Sequence, residues 1–210
     1  MAYISNPNLL LRNPVGPGTS TYYAVASNPP PHPSSWSQEM PEGWSLPDQR
    51  QLIRVPRTPM YTVSSQTLPP VTFSTKGWPG VRVRDILNGT LWVDTPYDTP
   101  FLRFGWRSTR ISLDWPGYAR RKHVDLQCAR IETCTGPEQQ PITRQELAKT
   151  ICGVLRNFSE SKQNQPVAPD YERWSLKHEH IRISDIFLLS IHYYTDQWVP
   201  EFYVLKGVVA

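Results

Sequence analysis

Long apolar runs are missing from this chain. The longest mostly apolar stretch, Ile186 to Tyr194, is broken by Ser190 and His192 and reaches only about half the length that a membrane-crossing helix needs. Cysteine is scarce: Cys128, Cys134 and Cys152 make an odd count with no repeated spacing, which argues against a disulfide framework and fits a reducing compartment. The glycine-rich phosphate loops G-x-G-x-x-G and G-x-x-x-x-G-K-[ST], the zinc motifs H-E-x-x-H and C-x-x-C, and the nucleophile elbow G-x-S-x-G do not occur. Their absence removes the sequence-readable routes to nucleotide, metal and serine-nucleophile chemistry. The first residues, Met1 to Pro7, lack a positive n-region, and Leu9-Leu10-Leu11 is too short for a signal core. The sequons Asn88-Gly89-Thr90 and Asn157-Phe158-Ser159 are therefore expected to stay unmodified.

Proline and tryptophan are abundant, with 22 and 8 residues in a chain of 210. The prolines crowd toward the N-terminus, where they disfavour helix and interior strand. Residues 1–57 accordingly read as a proline-rich arm, disordered or loosely packed, ahead of a single domain over 58–210. Within the arm, Pro29-Pro30-Pro31-His32-Pro33 is a polyproline II segment with a P-x-x-P match. Pro41-Glu42-Gly43-Trp44 looks like the opening of a WW module, but the paired aromatics and second tryptophan do not follow.

Beyond the arm the pattern becomes that of an α+β domain. Met60 to Val63 and Val71 to Phe73 carry β-formers on either side of the Leu68-Pro69-Pro70 break. Val83 to Leu87 has helical spacing and a stop at Asn88-Gly89. Strict alternation through Ile111, Leu113 and Trp115, and again through Val124, Leu126 and Cys128, predicts an antiparallel pair. Thr143 and Glu146 form a capping box, with Ile142 and Leu147 as a hydrophobic staple. Leu147, Ile151, Leu155 and Phe158 then make one apolar stripe opposite Gln145, Lys149, Arg156 and Glu160. Residues 159–170 read as an exposed loop. Ile186 to Tyr194 and Trp198 to Leu205 flank Thr195-Asp196-Gln197 as a terminal hairpin. The fold predicted is an antiparallel sheet with one packed amphipathic helix.

Three groups of residues are candidates for chemistry. His178-Glu179-His180, with His123 or His192, has the spacing of metal ligands on a strand, although no carboxylate or cysteine partners follow at regular intervals. Ser190 and His192 with Asp185 or Asp196 can be assembled into a triad on paper, but Ser190 lies mid-strand and not on a strained turn. The segment 101–130 holds seven Lys/Arg against Asp114 and Asp125. Arg107, Arg110, Arg120, Arg121 and Lys122 could there contact phosphates or another anion, with neighbouring rings stacking on bases. Trp115 alternates onto the apolar face, which turns at least that ring toward the core.

The C-terminal part resembles a family of uncharacterised proteins from mushroom-forming, basidiomycete fungi. The matching pieces are the strand with Trp115-Pro116-Gly117-Tyr118, the run Pro141 to Ala148, and Ile181 to Ile186 leading to Gln197-Trp198-Val199-Pro200. The likeness covers roughly residues 75–206 and implies a compact intracellular fungal domain of unknown function, with no catalytic residue to carry over. Together with the composition, it points to a non-catalytic protein-interaction or scaffold module of the cytoplasm or nucleus. Such a module binds a protein partner and uses no cofactor, metal or membrane. The alternatives are nucleic-acid binding through 101–130 and, third, an enzyme of unrecognised type.

Overall fold

The computed structural model describes residues 10–12, 22–24, 43–45, 51–57, 66–76, 78–118, 128–135, 140–177, 179–194 and 196–209. The polyproline match, the 60–63 strand, the alternating run 123–127, Arg120 to Lys122 and His178 lie outside them. The terminal hairpin is the centre of the fold. Its strands carry few breaks and many β-branched or aromatic residues, and they bury almost every side chain.

In chain order the main sheet consists of β1 (Gly43–Ser45), β2 (Gln51–Arg54), β3 (Gln66–Thr72), β4 (Val81–Arg82), β5 (Ser108–Ser112), β6 (Cys128–Glu132), β7 (Ile186–Tyr194) and β8 (Gln197–Leu205). The antiparallel hairpin β7–β8 is flanked on each side by strands lying end to end. Along β7 run β3 and β4; along β8 run β2, which pairs with β1, and β5, which pairs with β6. Every ladder is antiparallel except the single parallel bridge Trp198↔Ile111. Leu68-Pro69-Pro70 falls inside β3 and does not break it. Among the described residues β3 is an edge strand, where prolines without an N–H are tolerated.

Among the described residues two α-helices, one short and one long, complete the layers. α1 (Val83–Leu87) stops where Asn88 donates back to Arg84 and Gly89 takes φ +70°. α2 (Arg144–Lys162) starts at Thr143 with both capping-box bonds formed. Its stripe Leu147, Ile151, Leu155 and Phe158 is buried in one cluster with Ile111, Leu113, Trp115, Leu188, Ile191, Trp198 and Phe202, so the helix covers one face of the sheet. The helix continues through Ser159 to Lys162, past the residue where a loop is predicted. Ser159 and Lys162 are buried, and the Lys162 ammonium lies 5.3 Å from the Phe158 ring centre, which keeps the last turn packed.

The sheet also takes in residues assigned from the sequence to the arm. Tyr203↔Arg54, Val204↔Ile53 and Leu205↔Leu52 are paired, Leu52 and Val55 are buried, and the Val55 amide donates to Phe202. A hydrophobic pattern only four residues long, set among prolines, gave no periodicity to read. The strand with Ile111 starts and ends earlier than predicted: β5 stops at Ser112, and its partner is β6 from Cys128 onward. Leu113 and Trp115 remain buried, because the turn after them docks on the loop behind α2. Trp115 Nε1 donates to Trp174 O, and the Tyr118 hydroxyl accepts from Leu176. At Gly117, with φ +83°, a Cβ would meet Val167 Cγ1 at 2.6 Å. Trp115-Pro116-Gly117-Tyr118 is thus an anchor for residues 167–176.

Candidate functional site

The hairpin has two faces, and the second one is polar. Ile186 and Leu188 face α2; then the register slips between Leu188 and Ser190. One extra residue reverses which side chains point where. Ile191 stays in the α2-side cluster, while Ser190 and His192 meet Glu201 of β8 on the opposite face. The Ser190 hydroxyl donates to Glu201 Oε2 at 3.0 Å, and His192 Nε2 is 3.0 Å from the same oxygen and 2.8 Å from Ser190 Oγ. Arg54 approaches the other carboxylate oxygen at 3.9 Å, and Arg57 donates to the Tyr194 hydroxyl at 3.3 Å.

Electrostatics follow from this geometry. Burial pushes the Glu201 carboxyl up, but the His192 hydrogen bond and the charge of Arg57 outweigh it and hold the group well below the carboxylate range. For His192, burial dominates, and with the positive charges of Arg57 and Arg54 it lowers the imidazole pKa against the Glu201 contact. The cluster therefore pairs a carboxylate with a neutral histidine carrying its proton on Nε2.

A nucleophile relay needs the serine on one ring nitrogen and the acid on the other. Here both sit on Nε2, and Ser190 and His192 are fully buried. The triangle is a buried lock between β7 and β8. Asp185 and Asp196 do not join it: Asp185 accepts from the Arg182 amide, and Asp196 pairs with Arg110. The sequence does not single out Glu201, although it is the lone acid in β8 and lies opposite Ser190, the only short polar residue of β7. Among the described residues no three His, Cys, Asp or Glu side chains are placed to hold a metal ion.

In the basic segment Arg107 and Arg110 are exposed, but Arg110 pairs with Asp196 at 3.2 Å and Arg130 with Glu132 at 3.8 Å. Arg120, Arg121 and Lys122 lie outside the described residues. The rings of this segment point inward: Phe101 and Trp115 are buried, and Trp106 stacks on Phe104 at 4.7 Å.

Exposed aromatics occur instead in the loop between α1 and β5. Trp92 is 57% exposed and Tyr97 76%, with ring centres 6.2 Å apart and planes at 54°; Leu102 is exposed as well. The backbone beneath them is held on two sides. Ser74 O accepts from the Asp94 amide, the Asp94 carboxylate accepts from the Lys76 amide at 2.8 Å, and the Thr75 hydroxyl donates to Trp92 O. From α2, the first-turn amides of Arg144 and Gln145, which have no partner within a helix, donate to Asp98 O and Pro96 O. Arg144 also ion-pairs with Asp98. The Gln145 side chain accepts from the Val93 amide at 2.8 Å and donates to Leu91 O at 3.3 Å. Gln145 is therefore a clamp, and not the idle outward residue its position opposite the stripe suggested.

Val93 and Phe101 are buried and pin the loop to the core. Lys76 and Thr95 have φ of +51° and +49°, and a β-branched residue rarely adopts that region. Each such residue costs on the order of 1–3 kcal/mol, and strain of this kind concentrates where a backbone is held for function. No helix among the described residues is long and apolar enough to cross a membrane. Comparison with family models, with curated proteins and with solved structures finds no match for this chain.

Proposed function

We propose that this protein is a non-catalytic interaction module of the cell interior, which uses the loop between α1 and β5 to hold a protein partner. The clamped loop carries this reading. Large apolar side chains at the surface are ordinary when scattered, but here two aromatic rings stand together on a backbone fixed by at least seven hydrogen bonds and by two strained residues. Rigid aromatic anchors of this kind are what binding hot spots are made of, because little side-chain entropy is lost on contact. Three free cysteines support a reducing compartment.

Catalysis through the Ser190 triangle is disfavoured by its burial and by the shared nitrogen. Nucleic-acid binding through 101–130 is disfavoured because two of its cations are already paired and its rings face the core. Affinity capture with the intact chain and with a Trp92→Ala/Tyr97→Ala variant, each with and without nuclease, tests the choice. Specific partners that survive nuclease and disappear with the double variant are expected. Retention of every partner by that variant, or loss of all of them on nuclease treatment, would overturn the module.

A further inference from the structure

Along its longest run of strands the main sheet ends, among the described residues, on β3 at one side and on β6 at the other. The two edges are built differently. Pro69 and Pro70 leave β3 without their N–H groups and blunt it as a template, whereas Cys128-Ala129-Arg130-Ile131-Glu132 of β6 contains no proline. Its outward groups can be assigned. The Thr133 amide donates to Arg107 O on the β5 side, and successive peptide groups point to alternate edges of a strand. Ile131 therefore bonds toward β5, while the N–H and C=O of Arg130 and Glu132 point to the outer edge, where no described strand pairs with them. Their side chains stand together in solvent: Arg130 is 73% and Glu132 64% exposed, with Nε 3.8 Å from Oε1. Ile131 between them is buried in the core on the α2 side.

We propose that β6 pairs antiparallel with β6 of a second copy of this chain, about a twofold axis at Ile131. Charge selects both the occupant and the register. Hydrogen bonding across the edge requires outward residues to meet outward residues, so the axis passes at a residue and not between two. Centred on Arg130 it would set Arg130 against the partner's Arg130, and centred on Glu132 it would set two carboxylates together. Like charges directly opposite are unfavourable. Centred on Ile131, it sets Arg130 against the partner's Glu132 and Glu132 against the partner's Arg130, and each pair exchanges both of its N–H···O bonds. Charges of one sign along an edge guard it against a second copy. Here a cation and an anion flank Ile131, so the strand is complementary to itself, as an isologous contact demands. The two Ile131 side chains then meet as the closer, non-hydrogen-bonded pair. The contact uses neither Trp92 nor Tyr97, so it goes beyond the module reading and does not depend on it.

The test is analytical ultracentrifugation of the full chain from micromolar to near-millimolar concentration. A reversible dimer is expected. Arg130→Glu and Glu132→Arg should each weaken it by about tenfold or more, since the twofold axis counts every substitution twice. Both side chains are exposed, so the two variants should keep the wild-type circular dichroism and melting temperature. Mixed in equal amounts they should associate at least as well as the wild type, because every glutamate then faces an arginine, and the Arg130→Glu/Glu132→Arg double variant should dimerise again for the same reason. Glu132→Pro removes an N–H that points outward, so it should abolish the dimer while the ladder to β5 survives. A wild-type chain that stays monomeric throughout, a dimer indifferent to the charge variants, or single variants that do not recover on mixing would each overturn the proposal. So would a dimer lost in Trp92→Ala/Tyr97→Ala and kept in Glu132→Pro, which would put the second copy on the aromatic loop.

Discussion

Buried side chains on the second face of the hairpin make this protein sensitive to acid. His192 has its pKa lowered in the folded state, by burial first, so between its folded value and the ordinary value of 6.5 the unfolded chain binds the extra proton. Stability therefore falls as pH drops below about 6.5, with a slope of at most ~1.4 kcal/mol per pH unit for one proton. Glu201 acts lower down: its carboxyl is depressed by the His192 bond and Arg57, so its contribution is complete above 4.5 and is lost as pH falls further. Denaturant unfolding measured from pH 8 to pH 5 should show the decline. His192→Gln should flatten the part between pH 6.5 and 5, and equal slopes in the two proteins would show that His192 is not the group responsible. The sequence held most of this cluster in view, since Ser190 and His192 stand out in an apolar strand. It did not reveal the register slip that brings Glu201 opposite them, because a bulge is visible only as a change in apolar parity, from Ile186 and Leu188 to Ile191 and Tyr193.

Elements whose signals are local were legible, and those that depend on a distant partner were not. The capping box at Thr143, the stripe of α2 and the stop of α1 all lie within a few residues of the structure they specify. Replacing Thr143 by Ala should accordingly destabilise by about 0.5–2 kcal/mol, read from the shift of the denaturation midpoint. Gln145 is different. Its periodicity marks it as outward-facing, yet its amide serves a loop more than fifty residues earlier, a relation that no local pattern encodes. Gln145→Ala leaves the Val93 amide and Leu91 carbonyl without that partner, which should cost about 0.5–1.5 kcal/mol. More diagnostically, it should speed hydrogen exchange at Val93 while leaving the amides of α2 slow. Unchanged exchange at Val93 would mean that the loop holds its shape without the clamp. The exposed pair Trp92 and Tyr97 escaped the sequence for the same reason: the loop is irregular, and its exposure is set by Ser74, Lys76 and α2.

For the whole molecule the decisive question is what β2 contributes. Proline density pointed to a domain starting near residue 58, but β2 completes the free edge of β8 and, with the three residues after it, supplies Leu52, Arg54, Val55 and Arg57. Losing Leu52 and Val55 uncovers core surface on a scale of about 2–5 kcal/mol for a large aliphatic side chain. Removing Arg54 and Arg57 leaves the Glu201 carboxylate buried without its cations, and breaking a buried pair in this way costs about 3–5 kcal/mol. These losses approach the ~5–15 kcal/mol that holds an ordinary domain together. A chain starting at Thr58 is therefore expected to show no cooperative thermal transition, whereas one starting at Gly43, which keeps β1 and β2, should retain it. Limited proteolysis gives an independent readout, since cleavage after Arg54 or Arg57 should be slow in the intact protein and should be followed by digestion of the remainder. If the chain from Thr58 melts cooperatively at the temperature of the full protein, β2 is an accessory strand and the sheet is complete without it. In that case the carboxylate of Glu201 is held by His192 and Ser190 without Arg54 and Arg57, and the acid sensitivity of the hairpin should be weaker in the shortened chain, because both arginines help to lower the His192 pKa and to depress Glu201.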